Sequence, residues 1–427
     1  MKKIILTLTL YLSAFGLSAQ LTIENCQEKA RANYPLIRQQ RLIEISKEYN
    51  LSNAARGYLP QIQLKARASY QSEITSIDLP QIAHTMGIDI PKPPKDQYQA
   101  YIEAGQTIWD GGYIHSQRKI AKAGAEAETQ RLEVDLYALE NRVNQLFFGI
   151  LALDAQLEQN RLLRDELARN LDAVTSFVKN GIANQADIDA VKAENLNAQQ
   201  IRVQLESARR AYLDMLSFMI AEKIDENTVL AKPSDLRNNP MLFCGSTIVF
   251  RPELGFLDAQ KNLLNSQKSM LNAAFAPKLQ LFFQGGMGRP GLNMLSNEWK
   301  PYYIGGVNFV WNFSALYTRK NDLQKIEVNK IMLDTQRETF IYSIGLEAMR
   351  EKQEIRRLRE QMQYDDKIIS LRENIKRAAE AKVANGTMSV TDFLREVTRE
   401  NIARQTKASH EIELLNAIYN LKFTTNN

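Results

Sequence analysis

Gln61-Ile62-Gln63-Leu64-Lys65-Ala66-Arg67-Ala68-Ser69-Tyr70 alternates without a break. Ile62, Leu64, Ala66, Ala68 and Tyr70 fall on one side, and Gln61, Gln63, Lys65, Arg67 and Ser69 on the other. Successive side chains of a strand point to opposite faces, so this reads as a strand with one apolar face and one polar face that carries two cations. In an outer-membrane β-barrel, lipid outside and water inside account for such a division. A half-buried strand of a water-soluble sheet accounts for it as well, and the rest of the chain has to choose.

The strand follows Tyr58-Leu59-Pro60, and that junction returns as Phe275-Ala276-Pro277 with the prolines offset by 217. Asn33-Tyr34-Pro35-Leu36 returns as Arg251-Pro252-Glu253-Leu254, again with a spacing of 217. Ile108-Trp109-Asp110 matches Val310-Trp311-Asn312 at an offset of 202, and Asn180-Gly181 with Asp187 matches Asn385-Gly386 with Asp392 at 205. Landmarks repeated in one order mark an internally duplicated chain. The drop from 217 to 202 makes one inter-strand loop 15 residues shorter in the second half.

Each half is expected to run helix, strand, loop, strand, very long helix, tight turn, long helix, giving a class that is mostly α with a small β part. In residues 20–220 the strands fall at about 61–73 and 98–109, and the later helices at 112–178 and 185–220. In residues 251–427 the strands fall at about 278–287 and 302–311, and the helices at 314–384 and 389–422, with 221–250 as an equatorial linker. Leu279, Leu281 and Phe283 against Lys278, Gln280 and Gln284 keep the phase of the first strand. The second and fourth strands alternate too irregularly for their faces to be assigned. The loop at roughly 74–97 holds Pro80, Pro91, Pro93, Pro94 and Gly87, cannot continue a strand, and reads as the longer external loop. Trp109, Trp299 and Trp311 sit at strand ends, with Tyr58, Tyr70, Tyr98, Tyr302, Tyr303 and Phe313 nearby. Amphipathic rings favour the headgroup level of a bilayer, so Trp109, Trp299, Trp311 and Tyr303 are candidate membrane-interface residues.

After Trp109-Asp110-Gly111-Gly112 nothing breaks a helix until Asn180-Gly181, a run of about 67 residues or about 100 Å. Leu132, Leu136, Leu139, Val143, Leu146, Ile150, Leu153 and Leu157 are spaced by alternating fours and threes, the seam of a supercoiled helix. The phase passes through Asn160 and Arg164 and resumes at Leu167, Leu171, Val174 and Val178. The return helix carries Ala198, Ile201, Leu205, Ala208, Tyr212, Met215 and Met219 in the same phase, and the long helix of the second half is less regular. Gly181 and Gly386 each suit the left-handed residue that closes a helix. Asn184 and Ser389 then suit N-caps, with Asp187 and Asp392 three residues on in a capping-box position.

Residues 1–19 read as a signal peptide, with Lys2 and Lys3 before the apolar run Ile4 to Leu12 and Leu17-Ser18-Ala19 before Gln20. The segment before Cys26 lacks the small-residue pattern of a lipoprotein. Mean hydropathy is negative, which also describes a barrel whose strands show lipid only every second residue. The formal charge of +5 falls to +3 without the two leader lysines, which gives no reason to expect nucleic acid. Cys26 and Cys244 do not form a disulfide framework, and His84, His115 and His410 have no ligand spacing. His115 and His410 read as solvated helix residues, and charge runs such as Arg350-Glu351-Lys352 as solvated helix faces. No catalytic residue, cofactor or metal site is expected.

Four strands cannot close a membrane barrel, and an open edge in lipid would leave backbone groups unpaired. The chain is therefore expected to oligomerise, with two, three or four copies supplying eight, twelve or sixteen strands. The duplicated proline starts, the Leu59-Pro60 and Ala276-Pro277 junctions, Trp109-Asp110-Gly111-Gly112 and the turns at 181–187 and 386–392 together resemble the TolC-like outer-membrane efflux protein family. The resemblance spans essentially the whole chain after the leader. It implies a homotrimer in outer-membrane lipid, with a twelve-stranded barrel continued by a long α-helical coiled-coil tunnel in the periplasm. It implies a passive channel that serves efflux or type I secretion, docking through Asn180, Gly181, Asn385 and Gly386 to a periplasmic adaptor and an inner-membrane RND or ABC transporter. Residues 221–250 and the chain ends would then form a belt around the tunnel. Relatives line their periplasmic entrance with two aspartates one turn apart. Asp392 matches the first and Arg395 stands at the second, so Asp392, Arg395 and Asp187 are the candidate entrance residues. The alternatives are a channel given over to metal ions or proteins and a non-conducting periplasmic coiled-coil scaffold or adaptor. The scaffold leaves the duplicated strand pairs and the tryptophan placement unexplained.

Overall fold

The structure, a computed structural model, describes residues 21–74, 94–233 and 250–426. The expected signal peptide, His84, most of the first inter-strand loop and the linker segment that holds Cys244 lie outside the described residues.

The elements run α1 (Ile23–Asn33), a 3-10 turn (Pro35–Ile37), α2 (Arg38–Ala55), β1 (Gln61–Tyr70), β2 (Asp96–Trp109), α3 (Tyr113–Lys179) and α4 (Gln185–Ile220). The second repeat follows with α5 (Pro252–Ala274), β3 (Lys278–Arg289), β4 (Lys300–Val310), α6 (Leu316–Ala384) and α7 (Val390–Thr425). Helices dominate, and no described helix is long and apolar enough to cross a membrane. The proline landmarks act through the bond they cannot donate. Pro35 follows the end of α1, and Pro252 opens α5 at a position whose N–H has no partner in any helix.

At the shared aromatic–Asp/Asn step the side-chain oxygen accepts from the backbone two residues on in both repeats, but it reaches into the following helix only in the first. Asp110 is buried and caps α3, its Oδ1 accepting from Gly112 N at 2.8 Å and its Oδ2 from Ile114 N at 2.7 Å. Asn312 Oδ1 accepts from Ser314 N at 3.1 Å and from Ser314 Oγ at 2.6 Å. Gly111 is required where it stands. Its φ is +66°, and a Cβ there would lie 2.1 Å from the Ala276 Cβ.

The chain divides into two compact units that each take segments from both repeats. One comprises Gln39–Arg131 and Glu253–Arg337, the other Met1–Arg38, Leu132–Pro252 and Glu338–Asn427. The first holds a four-stranded antiparallel sheet in the order β1-β2-β3-β4, so the repeats join where β2 pairs with β3.

The second unit is helical. Phe147, Leu151, Leu216, Ile220, Leu415 and Tyr419 form its main core together with Ile23 and Cys26 of α1. Burial pushes the Cys26 thiol up to about 12, so it packs as a small apolar group and is inert. Leu132, Leu136, Val143, Ile150, Leu167 and Val174 of the α3 seam are buried. Asn160, the polar interruption, is buried too, and its amide donates to the Ala198 carbonyl at 3.0 Å. The matching α4 seam is split, because Ala198 is buried but Ile201, Tyr212 and Met215 are exposed. On α6, Tyr342, Leu346, Met349, Ile368, Leu371 and Ile375 are likewise exposed at spacings that favour one face. The linker and the chain ends meet: Ala231 N donates to Leu21 O at 3.1 Å, and Phe250 N to Thr425 O at 3.1 Å.

Candidate functional site

Strand register assigns the faces that alternation alone left open. Leu64 faces Ile102, which faces Gly285, which faces Tyr303. Ile62, Ala104, Phe283 and Gly305 form the neighbouring row, and Ala66, Ala100, Met287 and Pro301 the one beyond it. Every strand residue on this face is uncharged except Asp96 and Arg289, which pair with each other at one end of the sheet. The face is open: Leu64 is 79% exposed, and Ile62, Phe283, Tyr303, Val307 and Phe309 are exposed as well.

The opposite face carries the remaining strand charges, Lys65, Arg67, Glu103, Lys278 and Lys300. Lys65 Nζ donates to Glu103 Oε1 at 2.8 Å, and Gln284 Nε2 donates to Glu103 Oε2 at 2.8 Å, tying β1, β2 and β3 across the polar side. Two glycines are shaped by this sheet. A Cβ on Gly286 would stand 2.2 Å from the Ala100 carbonyl oxygen, and Phe282 lays its ring over Gly306. β1 and β4 each pair on one side only among the described residues.

The tryptophans sit where strands begin and end. Trp299 precedes β4 and stacks on Tyr98 with 6.3 Å between ring centroids. At the other end of the strands, Trp311 lies 4.6 Å from Phe313 and donates to the Phe275 carbonyl at 3.2 Å, and Trp109 stands opposite Leu279. Tyr303 lies inside β4, opposite Gly285, and stacks on Phe283 at 6.3 Å.

In the helical unit both turns close alike. Gly181 (φ +75°) donates to Val178 O at 3.1 Å and Ile182 N to Phe177 O at 2.9 Å. Gly386 (φ +68°) donates to Val383 O at 2.9 Å and Thr387 N to Lys382 O at 2.9 Å. This double closure satisfies the last carbonyls of α3 and α6. The turns are neighbours: a Cβ on Gly386 would lie 3.9 Å from Ile182 Cγ2. Leu167, Val174, Ile188, Val191, Val383, Val390, Phe393 and Val397 pack the two hairpins into one cluster behind them.

The caps differ. Asn184 Oδ1 accepts from Asp187 N at 3.2 Å while Asp187 Oδ2 accepts from Asn184 N at 2.9 Å, a complete reciprocal box. Ser389 Oγ accepts from Asp392 N at 3.0 Å, but the Asp392 carboxylate takes its bond from the Ser389 hydroxyl at 2.8 Å instead of from the backbone. Its other oxygen lies 3.1 Å from an Arg395 guanidinium nitrogen, so the acid and the base one turn apart pair within the chain.

Sequence reasoning missed a network set back from these turns. Glu400 is 2% exposed, is held by Arg404, and lies 3.3 Å from Lys376 Nζ, which also reaches Glu166 at 2.7 Å. Arg404 further engages Glu373, so α3, α6 and α7 share one set of charges. Glu400 and Arg404 are an i, i+4 pair on α7, but no local motif announces that Glu373 and Lys376 of α6 and Glu166 of α3 join them. Two surface readings are corrected. His410 is largely buried, its Nδ1 2.9 Å from the buried Asp365 carboxylate, because the i, i+3 pattern of α7 turns it toward α6. Glu351 is buried as well, with Arg350 at 3.1 Å covering its charge.

Residues 27–221 match the family described as outer membrane efflux protein. No curated protein matches the chain. Among solved structures, the outer membrane protein VceC of Vibrio cholerae shares the fold with a TM-score of 0.68, at 11% identity over 95% of this chain and 96% of that one. The open state of the Neisseria gonorrhoeae MtrE outer membrane channel gives 0.63, at 14% identity over 95% and 89%. The Campylobacter jejuni CmeC outer membrane channel gives 0.62, at 14% identity over 94% and 85%. At these identities the likeness is one of fold.

Proposed function

We infer that this chain, an outer membrane efflux protein in sequence over residues 27–221 and in fold over nearly its whole length, is the channel subunit of an export system in the outer membrane. The observation that carries this reading is the sheet: one face is open and apolar but for the Asp96–Arg289 pair at its end, the other carries the remaining charge, and β1 and β4 pair on one side only among the described residues. Such a sheet satisfies its backbone in lipid only when the edges pair, β4 of one copy with β1 of the next. Three copies give twelve strands. The exposed seams of α4 and α6 fit the same assembly, because they are apolar surface that neighbouring copies would cover. The protein then conducts passively what an inner-membrane transporter and a periplasmic adaptor deliver, with the turns at Gly181 and Gly386 as the docking surface.

Reconstituted in planar bilayers, the protein is expected to form steady pores and to run on gels as a heat-modifiable oligomer. A protein confined to the soluble periplasmic fraction, with no conductance, would contradict the channel.

At the periplasmic entrance, the intrachain Asp392–Arg395 pair cancels the charge that two aspartates would place there. Arg395→Asp is expected to raise cation selectivity. An unchanged reversal potential would remove Arg395 from the pore.

A further inference from the structure

We propose that the barrel lumen is a basic corridor that favours anions, and that the solutes this channel passes include anionic ones. The inference rests on the channel reading and extends it to substrate charge. It comes from the register, which places Lys65, Arg67, Lys278 and Lys300 on the face opposite the apolar one, against a single strand carboxylate, Glu103.

Two of these cations have carboxylate partners. Glu103 is engaged by Lys65 at 2.8 Å, and Glu298, just before β4, lies 3.2 Å from Lys300. Counting both acids, each chain keeps two more cations than carboxylates on this face. Lys278 sits at one end of it, with Nζ 5.0 Å from the Tyr113 ring centroid. Arg67 and Lys300 share one row at the other end, on either side of Gln99 and Gly288. Arg67 has no ion-pair partner among the described residues. Three copies would repeat this row around the lumen, where low-dielectric walls focus the field of fixed charges onto passing ions. The self-paired Asp392 and Arg395 add no opposing anionic ring.

The test is the reversal potential of the reconstituted full-length protein in a KCl gradient, compared with two variants of opposite sign. Wild type is expected to show the sign of chloride preference. Arg67→Gln combined with Lys300→Gln is expected to shift the potential toward the potassium side, and Glu103→Gln to shift it further toward chloride. Cation preference in the wild type, or one potential shared by all three proteins, overturns the proposal. Absence of any wild-type pore overturns the channel reading and this inference with it, an outcome distinct from a pore without anion preference.

Discussion

Leu64→Arg is expected to remove the protein from the outer membrane. In the single chain Leu64 is 79% exposed, so in a water-soluble sheet the change would cost no more than about 0.5 kcal/mol either way. In the proposed barrel the same side chain would face lipid. Leu64 lies four residues into a ten-residue strand, opposite Ile102, well away from the ends where an arginine could reach the headgroups. Arginine on the lipid face near the bilayer midplane costs about 2–4 kcal/mol, and the proposed trimer would incur it in every copy. The heat-modifiable oligomer should disappear from outer-membrane fractions, with the chain degraded or left in the periplasm. Gln63→Arg, one residue away on the opposite face, should assemble normally. Equal tolerance of the two arginines would mean that the apolar face does not meet lipid.

Lys376→Met should loosen the helical unit near its turns. Methionine keeps the unbranched four-atom stem of the side chain and deletes the ammonium group that stands between Glu166 and the buried Glu400. Removing one partner of a buried ion pair costs about 3–5 kcal/mol, because the other charge stays behind in a poorly solvated place. Arg404 still holds Glu400 and Lys376 retains some solvent contact, so the lower end of that range applies. The expected signature is a lower unfolding midpoint and faster amide exchange in α6 and α7 around 370–405, with Lys376→Arg close to wild type. A midpoint unchanged in Lys376→Met would show that Arg404 alone satisfies Glu400.

The duplicated plan was legible because its signals are local. Proline cannot continue a helix, glycine alone is comfortable at Gly181 and Gly386, and β1 alternates without a break. The caps at Asn184 and Ser389 follow from spacings of three residues. β2 and β4 were not legible as faces, for physical reasons that the register makes plain. Gly105, Gly305 and Gly306 carry no side chain to mark a side, Tyr101 and Tyr302 stand on the polar face, and an irregularity between Thr107 and Trp109 shifts the phase at the end of β2. The Asp392 carboxylate shows the limit of motif reading at the candidate entrance. Spacing placed it in a capping box, yet the nearby Arg395 and the Ser389 hydroxyl take up its oxygens. Glu400, Lys376 and Glu166 lay further out of reach, since only the packing of separate helices brings them together.

The proposed barrel requires β1 and β4 to find each other in neighbouring copies. The most direct measurement is the mass of the detergent-purified protein, extracted from outer membranes and weighed by light scattering with the detergent contribution subtracted. Three times the mass of one chain is expected; a single chain mass, or a protein that needs no detergent to stay in solution, would contradict the trimeric barrel.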